Sequence, residues 1–244
     1  MSHLKDAFGI ITGVAEGLGN KIARAYGREG MRLALMDVQT EKLNELAREL
    51  TADGIDCLPI SVDLSDASQT QKALQKALDH YGTPRVLLHN AAVLNERLFI
   101  DITFEQWRKE IDIILQAGFI LSKGVWPLMM DAGIGSIIFI SSGSGLKGFV
   151  KEAAYCPGKH GQEGLMKVLS MEGKPFNIAV NTVTTGVPIN TPMSHGHYPE
   201  ELRKQWVDPA LLTPAFVWLA KQDTSFATGE RLDAWKMSQL VTGQ

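Results

Sequence analysis

The chain has 244 residues, of which 45% are hydrophobic and 21% charged, a length and composition that suit one large domain or two small ones around a sizeable core. Its net charge of -3, from 24 Lys and Arg against 27 Asp and Glu, leaves no basic excess for a phosphate backbone, which excludes a dedicated nucleic-acid binder. Cys57 and Cys156 are the two cysteines and lie far apart, so a disulfide framework and a cysteine-based zinc site are excluded as well.

The sequence also indicates where the protein works. No run of 18 uninterrupted apolar residues occurs, so we expect no membrane-spanning segment. Residues 1–7 lack the charged region, apolar region and cleavage site of a signal peptide. We therefore expect a cytoplasmic protein.

Short apolar runs alternate with helix-periodic segments along the whole chain, a pattern typical of a parallel sheet with helical crossovers. No internal repeat, low-complexity segment or linker interrupts the alternation, so we expect an α/β fold in a single domain over residues 1–244. The predicted strands lie at residues 7–12, 32–37, 56–62, 85–90, 136–141, 177–183 and 231–234.

The segments between the strands predict helices. Over residues 41–50 the apolar side chains fall at i, i+3, i+4 and i+7, which indicates an amphipathic surface helix. Ser65 or Asp66 can cap the helix that follows. The run 104–130 is long for one helix, and its centre at 111–121 is too apolar for a surface position, so we expect it to be buried, between subunits.

One long stretch, from Gly186 to Pro209, shows no clear periodicity and is rich in Pro, His, Gly and Met. Loops of this length in compact domains often cover a binding site. The sequence predicts a substrate lid over about 187–209, with a short helix at 199–206.

A glycine-rich turn joins the first strand to the first helix. It contains Gly13, Gly17 and Gly19 in the spacing Gly-x-x-x-Gly-x-Gly. Glycines let the backbone approach a pyrophosphate closely, and the helix N-terminus offers unpaired N–H groups and a positive dipole end. The same turn alone is also compatible with a tight strand-to-helix connection, so the dinucleotide interpretation needs a partner residue.

Asp37 is that partner, because it ends the second strand, where a carboxylate can accept hydrogen bonds from the adenosine ribose hydroxyls. A carboxylate there repels a 2'-phosphate, and neither Glu16 nor Val38 supplies the basic side chain that NADP would require. The pattern favours NAD over NADP, and the other interpretation of Asp37 is a solvated acid at a strand end.

Further motifs fall at the ends of the later strands and on the helix after the fifth strand. Together with the glycine loop, they make the chain resemble the short-chain dehydrogenase/reductase (SDR) family, in its compact single-domain branch, over nearly the whole length. The resemblance implies a doubly wound, Rossmann-like parallel sheet of seven strands in the order 3-2-1-4-5-6-7, with helices on both faces. It also implies an NAD(P)-dependent enzyme that forms a homo-oligomer, a tetramer or a dimer. The residues that carry it are Thr12 to Gly19, Asp63, Asn90-Ala91-Ala92, Ser142 and Tyr155-x-x-x-Lys159.

The chemistry explains why these residue types belong together. Hydride transfer to a carbonyl carbon leaves charge on oxygen, so an acid must deliver a proton there. Bringing a tyrosine pKa from near 10 to about 7 needs roughly 4 kcal/mol of preferential phenolate stabilisation. Lys159 lies on the same helix face as Tyr155 and can supply it, together with the oxidised nicotinamide. By resemblance, Tyr155 is the acid/base, Lys159 the electrostatic partner and ribose anchor, and Ser142 the group that polarises the substrate oxygen.

Pro157 lies between Tyr155 and Lys159, and a proline is tolerated only in the first turn of a helix. We therefore predict that this helix begins between Ala153 and Tyr155.

Other cofactor contacts are implied by position in the family. Asp63 and Leu64 should border the adenine, Asn90 and Ala91 should run beneath the cofactor, and Thr191 should reach the pyrophosphate or the carboxamide. The implied cofactor-binding set is Gly13, Gly17, Leu18, Gly19, Asp37, Asp63, Leu64, Asn90, Ala91, Tyr155, Lys159, Gly186 and Thr191.

The chain departs from the family pattern at several positions near the cofactor. Ile114 stands where the family usually has an Asn that helps hold a water linking the lysine to solvent, and isoleucine has no polar side-chain atom. Either a backbone carbonyl holds that water or proton relay is impaired. His89, Thr185 and Trp235 also replace the usual residues.

One residue is inserted between Gly186 and Thr191 relative to the family. Whether Val187, Pro188 or Ile189 faces the nicotinamide therefore stays open at this point.

Two side-chain groups near the lid have more than one interpretation. His195 and His197 resemble a metal pair, but no acidic or cysteine partner is spaced to complete a site, so we expect no metal. A set of apolar and aromatic side chains can line a pocket for an apolar or aromatic substrate, or can equally be core or subunit-contact residues. This set is Leu94, Phe149, Val150, Met193, Tyr198 and Trp206.

The sequence thus predicts an oxidoreductase that transfers a hydride between NAD(H) and a secondary alcohol or ketone, a small-molecule substrate, with Tyr155 as acid/base. One alternative is an NAD-binding protein of this fold with little or no turnover, in a sensor or structural role. Another is a lyase or dehalogenase on the same fold, which is disfavoured because Lys159 is not Arg and the glycine loop is intact.

Overall fold

The computed structural model describes residues 4–197 and 200–243, with Leu202 described in its backbone alone. Seven strands in this part of the chain form one sheet, and every neighbouring pair is parallel. The order β3-β2-β1-β4-β5-β6-β7 confirms the predicted topology. The strands are β1 (Phe8–Thr12), β2 (Arg32–Asp37), β3 (Cys57–Ser61), β4 (Val86–His89), β5 (Gly135–Ile140), β6 (Ile178–Thr184) and β7 (Arg231–Asp233).

Strands β4 and β7 each end one residue before the predicted limit, and at both ends a side chain accepts a hydrogen bond from the backbone. β4 stops at His89, one residue early, because the N–H groups of Asn90 and Ala91 both donate to Thr12 Oγ1 at 3.1 Å. β7 stops at Asp233 because its carboxylate caps the next helix, accepting from Lys236 N at 3.0 Å.

Helices follow or connect the strands. Asp66, not Ser65, caps α3, because its carboxylate accepts from Gln69 N at 3.0 Å. Helix α6 begins at Tyr155 with Pro157 in its first turn, as predicted. The helices are α1 (Gly17–Arg28), α2 (Thr40–Ala52), α3 (Ala67–Tyr81), α4 (Phe104–Ile111), α5 (Ala117–Ala132), α6 (Tyr155–Gly173), α7 (Pro192–His197), α8 (Thr213–Lys221) and α9 (Ala234–Thr242).

The sheet has a hydrophobic core on each face, because alternate residues of the central strands point to opposite sides. In β1, Ile11 packs with α1, α2, α8 and α9, whereas Ile10 packs with α3, α5 and α6. Leu88 and Leu87 of β4 divide in the same way. Burial on both faces explains why the strands are continuously apolar.

Helices α4 and α5 are joined by a π-helical turn, Asp112–Gln116, into one nearly continuous rod. Ile113, Ile114, Ala117 and Leu121 in its centre are buried, as predicted, but Phe119 in the same stretch is 50% exposed. Phe104, at the start of the run, is 66% exposed. By length and composition, Phe104–Ala132 is within the range of a membrane-spanning helix, a range that core helices share, and 44% of its most apolar window is buried in the fold.

Candidate active site

A cleft of about 730 Å³ opens at the carboxyl ends of the central strands. The strand order reverses between β1 and β4, and ligands of open α/β sheets bind in the crevice at that point. The structure brings nearly all the predicted site residues to this cleft. Those that line it are Gly13, Gly17, Leu18, Asp37, Asp63, Leu64, Asn90, Ala91, Ser142, Tyr155, Lys159, Gly186 and Thr191.

The glycine loop leaves room for a ligand. Gly13 and Gly17 have φ of 68° and 63°, in the left-handed region that favours glycine. Gly13 N donates to Met36 O at 2.8 Å, and Asn90 Nδ2 donates to Gly13 O at 2.6 Å, so the loop is fixed from two sides. Helix α1 has no side-chain cap and no acidic residue in its first turn. Gly17 and Leu18, the first two residues of α1, line the cleft, so unpaired N–H groups of the helix N-terminus are available there to an anion.

Gly19 belongs to the same loop but does not line the cleft. A Cβ there would lie 2.1 Å from Gly13 O and 2.5 Å from Asn90 Nδ2. Gly19 therefore lets helix α1 pack closely against the loop, and its place in the predicted cofactor-binding set stays a prediction.

Asp37 is almost fully buried at the end of β2. Its Oδ2 accepts from Ala15 N at 2.8 Å and its Oδ1 accepts from Gln39 N at 2.9 Å. Each oxygen keeps a lone pair for a further donor. The carboxylate is therefore held rigidly beside the glycine loop.

Asp63 and Leu64 lie on the neighbouring part of the cleft wall. Burial raises the pKa of Asp63, but hydrogen bonds from Ser65 and the charge of Lys109 lower it more, so its pKa lies below the ordinary value. Ser65 donates to Asp63 Oδ1 through both its N–H, at 2.9 Å, and its hydroxyl, at 2.7 Å. The carboxylate is thus fixed in its ionised form at neutral pH.

Tyr155 and Lys159 lie one turn apart on α6, as the sequence predicts. Lys159 is 1% exposed, and its Nζ lies 5.5 Å from the centre of the Tyr155 ring. Nζ donates to Ile140 O at 2.6 Å and to Gln162 Oε1 at 3.1 Å. Burial lowers the pKa of Lys159 to about 7, an effect that the Glu163 carboxylate opposes. The amine is therefore only partly protonated near pH 7, and a negative charge that forms nearby favours its protonated form.

Ser142 follows β5 and is fixed from its backbone side. Its carbonyl accepts from Arg231 Nη2 at 2.8 Å, and Arg231 pairs with Glu163 at 3.4 Å. Glu163 in turn accepts from Thr182 Oγ1 at 2.9 Å and from the Ser141 hydroxyl. This partly buried ion pair links the Ser142 turn to α6.

A polar chain leads from Ser142 toward the substrate side of the cleft. Ser142 Oγ donates to Ser144 Oγ at 3.3 Å, and Ser144 Oγ donates to Glu152 Oε2 at 2.6 Å. Cys156 Sγ also donates to Glu152 Oε2, at 3.3 Å. Among the described residues, Glu152 forms no ion pair. A carboxylate without a cation therefore lines the cleft.

His89 replaces the family's usual residue at the end of β4 and is fully buried. Thr12 Oγ1 accepts from two backbone N–H groups, so its own hydrogen is directed to His89 Nδ1 at 2.9 Å. His89 Nε2 then carries the proton and donates to the carbonyls of Ile113 and Ile114, both at 3.1 Å. Burial, with the nearby Lys159, lowers the pKa of His89 to about 4, so the ring is neutral.

Residues of the predicted lid contribute to the wall of the cleft. Gly186 has φ of 75°, and a Cβ there would lie 1.9 Å from Asp233 Oδ1, which explains the glycine after Thr185. The three residues whose orientation the sequence left open, Val187, Pro188 and Ile189, all line the cleft.

Further along the lid, the described part of the predicted helix 199–206 is a 3₁₀ helix at Glu200–Gln205, and Pro199 lies outside the described residues. The two lid histidines each have a protein partner. His195 Nε2 lies 2.8 Å from Asn190 Oδ1, and His197 Nδ1 lies 3.6 Å from Glu96 Oε1. Over residues 4–197 and 200–243, no group of three or more His, Cys, Asp or Glu side chains is arranged to hold a metal ion.

The predicted substrate-pocket residues divide into two groups. Leu94, Met193 and Trp206 line the cleft. Phe149 and Val150 do not line it and are 45% and 82% exposed. Tyr198 lies outside the described residues.

Several polar residues of the site were not predicted. Gln162 and Glu163 are buried on α6, and Arg231 was interpreted only as the start of a strand. Two consecutive polar residues one turn after Lys159 on the same helix were a usable signal for the first two. Arg231, Ser144 and Glu152 reach the site through tertiary contacts that no local pattern records.

The residues present fit a nicotinamide dinucleotide. Gly13 and Gly17 at the cleft wall, the uncapped N-terminus of α1 and the buried carboxylate of Asp37 match a diphosphate and a ribose diol.

Comparisons with known proteins agree with this geometry. The model of the family described as short chain dehydrogenase matches residues 8–202. The chain is 32% identical to the trans-4-hydroxycyclohexanecarboxylate dehydrogenase of Sinomonas cyclohexanicum over 91% of this chain and 89% of that protein. It is 31% identical to a 3-alpha-(or 20-beta)-hydroxysteroid dehydrogenase of Mycobacterium bovis, over 90% and 84%.

Solved structures show the same fold. A metagenomic short-chain oxidoreductase in complex with NADP superposes with a TM-score of 0.82 and 27% identity, covering 95% of this chain and 98% of that one. Levodione reductase superposes with a TM-score of 0.85 at 23% identity, over 96% and 99%.

Proposed function

Because the chain belongs to the short-chain dehydrogenase family, an oxidoreductase family, we propose that it transfers a hydride between NAD(H) and a secondary alcohol or ketone. The observation that carries the proposal is the pair formed by Tyr155 at the cleft wall and Lys159 buried directly behind it. A lysine costs much to bury, and its position beside a phenol is the arrangement that general acid–base catalysis by tyrosine needs.

Each residue then has a defined task. The nicotinamide, when bound, supplies or accepts the hydride. Tyr155 donates its hydroxyl proton to the carbonyl oxygen in reduction and takes a proton from the alcohol in oxidation. Lys159 favours the phenolate through its charge, and Ser142 donates a hydrogen bond to the substrate oxygen. Gly13, Gly17 and the N-terminus of α1 would hold the diphosphate.

Asp37 supports NAD as the preferred cofactor. Its buried carboxylate would accept from ribose hydroxyls and would repel a 2'-phosphate. The amine of Lys42 is paired with the carboxylate of Glu16 in the glycine loop, at 2.5 Å. The related structure cited above holds NADP, so cofactor choice is a property to be measured for this chain.

The substrate side of the cleft combines an apolar wall with one carboxylate. Leu94, Met193 and Trp206 suit an apolar or aromatic ring, and Glu152 adds an acceptor a short distance from Ser142. A hydroxyl on such a ring can donate to Glu152, whereas a carboxylate there would be repelled. We therefore infer a neutral, hydroxylated cyclic alcohol or ketone.

The test is a titration of the purified protein with NADH and NADPH, followed by absorbance assays with a panel of cyclic and aliphatic ketones and alcohols. Turnover that the Tyr155→Phe change reduces by about 10²-fold or more would support the proposal. Tight NADH binding without turnover across the panel would favour the alternative, a dinucleotide-binding protein. Tighter binding of NADPH than of NADH would contradict the interpretation of Asp37.

A further inference from the structure

The support of Lys159 is built from groups that the sequence pattern did not assign. Among the described residues, both hydrogen bonds of Nζ go to uncharged acceptors, Ile140 O at 2.6 Å and Gln162 Oε1 at 3.1 Å. Gln162 is fully buried. In the part of the chain that the structure describes, its amide is the side-chain acceptor of the amine, and it helps to fix where Nζ lies.

The other end of the same amide is also occupied. Gln162 Nε2 donates to Ile114 O at 2.9 Å, and His89 Nε2 donates to the same oxygen at 3.1 Å. Ile114 lies inside the π-helical turn, where the regular i to i+4 bonding is interrupted and carbonyls become available to other donors. The amide thus joins the π turn to the lysine.

The chemistry of the two ends fixes the orientation of the amide. A lysine amine that donates to Ile140 O presents its remaining hydrogens to an oxygen, and a carbonyl requires an N–H donor. Reversing the amide would place an NH₂ against Nζ and two oxygens against each other. Gln162 therefore fits in one orientation.

Two glycines bring α6 close enough for these bonds. A Cβ on Gly158 would lie 3.1 Å from Ile114 Cγ2, and a Cβ on Gly161 would lie 2.5 Å from Leu115 Cδ2. The apolar side chain of Ile114 packs against the backbone at Gly158, next to Lys159, while its carbonyl serves Gln162. The arrangement needs an apolar side chain and a free carbonyl at the same position.

We propose that Gln162 is a positioning residue that bridges the amine of Lys159 to the carbonyl of Ile114, with His89 as the second donor to that carbonyl. This bridge takes the place of a polar side chain at position 114. Its importance for catalysis depends on the proposed function, because Gln162 acts on Tyr155 only through Lys159.

The charged and titratable groups that face Lys159 are few. Tyr155 and Glu163 lie on α6 itself, His89 faces it from the end of β4, and Arg231 of β7 acts through its pair with Glu163. None of them is altered by a change at Gln162, so a shift in the titration of Lys159 reports the bridge.

The experiment is an NMR titration of the protein labelled with ¹³C-lysine, with the Lys159 signal assigned from Lys159→Arg. In Gln162→Leu the acceptor is lost, and we expect the titration midpoint of Lys159 to fall by one pH unit or more. In Gln162→Glu, which keeps an acceptor and adds charge, we expect the midpoint to rise. The matched control is Gln222→Leu, which removes another buried glutamine, one bonded to Trp218 O, and should leave the Lys159 midpoint unchanged.

Activity measured on the same variants separates the two proposals. In the presence of turnover, Gln162→Leu should lower kcat about tenfold or more, leave KM for NADH within about threefold, and move the acidic limb of the kcat profile for alcohol oxidation to higher pH. Equal Lys159 midpoints in wild type, Gln162→Leu and Gln162→Glu would overturn the bridge, whether or not turnover is found. Opposite shifts without turnover would support the bridge and contradict the proposed function.

Discussion

At the scale of single residues, the proposed preference for NAD can be tested at the acid that ends β2. Replacing Asp37 by Ser removes the carboxylate that would repel a 2'-phosphate, so we expect NADH binding to weaken by about tenfold, roughly 1.4 kcal/mol, and NADPH binding to strengthen. Fluorescence titration with both cofactors measures this. Asp53→Ser, at the exposed end of α2, is the control and should change neither constant. Equal weakening of both cofactors would mean that Asp37 only supports the loop through Ala15.

Glu152 should act on substrate choice and not on cofactor binding. In Glu152→Gln the negative charge is removed while hydrogen-bonding capacity stays, so we expect kcat/KM for a ring substrate with a carboxylate to rise relative to its neutral analogue, by about fivefold or more. The ratio of the two kcat/KM values is the measurement.

Glu172→Gln, an exposed acid at the far end of α6, is the matched control for this change. An unchanged ratio in Glu152→Gln would show that the carboxylate does not face the substrate.

Residue-scale prediction from sequence succeeded where a local pattern existed. Tyr155 and Lys159 are one helical turn apart, and the structure places Ser142 in the same cleft. Gln162, Arg231 and Glu152 were missed because their partners lie on other elements, at Ile114, at Ser142 and at Ser144. In the structure, the backbone carbonyl of Ile114 accepts hydrogen bonds from Gln162 and His89, and these contacts are not visible in the sequence.

At the scale of elements, two glycines should respond in opposite ways to the same change. In Gly19→Ala the added Cβ would lie 2.1 Å from Gly13 O, so we expect a loss of about 1–3 kcal/mol in the free energy of unfolding and weaker NADH binding. In Gly164→Ala, on the exposed side of α6 with nothing within 4 Å, we expect a gain of about 0.5–1 kcal/mol. Urea unfolding of both variants tests this, and destabilisation by both would contradict it.

Most of the elements could be predicted from periodicity and capping. The start of α6 followed from Pro157, and the surface helix over 41–50 lies within α2. The π turn between α4 and α5 could not be predicted, because no side-chain pattern distinguishes it from a continuous helix. In the structure, the side chains of Gln162 and His89 donate hydrogen bonds to carbonyl groups of this turn.

At the scale of the whole molecule, stability should depend on pH through the buried lysine. The pKa of Lys159 is about 7 in the fold against an ordinary value of 10.5, so the unfolded chain binds more protons between these limits and the free energy of unfolding rises with pH there. Fully expressed, this amounts to about 1.4 kcal/mol per pH unit. In Lys159→Met we expect the free energy of unfolding to lack this rise with pH.

Denaturant unfolding of the cofactor-free protein at pH 7 to 10 measures the difference. The stability advantage of Lys159→Met over wild type should be largest at pH 7 and should shrink as pH rises. A constant difference across this range would mean that the lysine is not desolvated.

The surface of the molecule supports the expected self-association, which we propose on the basis of an exposed apolar patch. Phe99, Ile100 and Phe104 are 82%, 88% and 66% exposed and nearly consecutive in the chain. Exposed apolar clusters of this kind often mark interfaces. Light scattering after gel filtration should show an oligomer for wild type and a smaller species for Ile100→Asp. A monomeric wild type at micromolar concentration would contradict the proposal.

The contact of Ile114 with Gly158, Gln162 and His89 also limits how this protein can change through evolution. A polar side chain introduced at position 114 alone would lie against the backbone at Gly158, while the carbonyl of that residue stays bound to Gln162. A loss of Gln162 alone would remove the side-chain acceptor of Lys159 and leave the Ile140 carbonyl. The substitutions should therefore show strong epistasis: we expect each to be harmful in isolation and tolerated in combination. Any stepwise mutational route between this arrangement and one with asparagine at position 114 should then pass through an impaired intermediate.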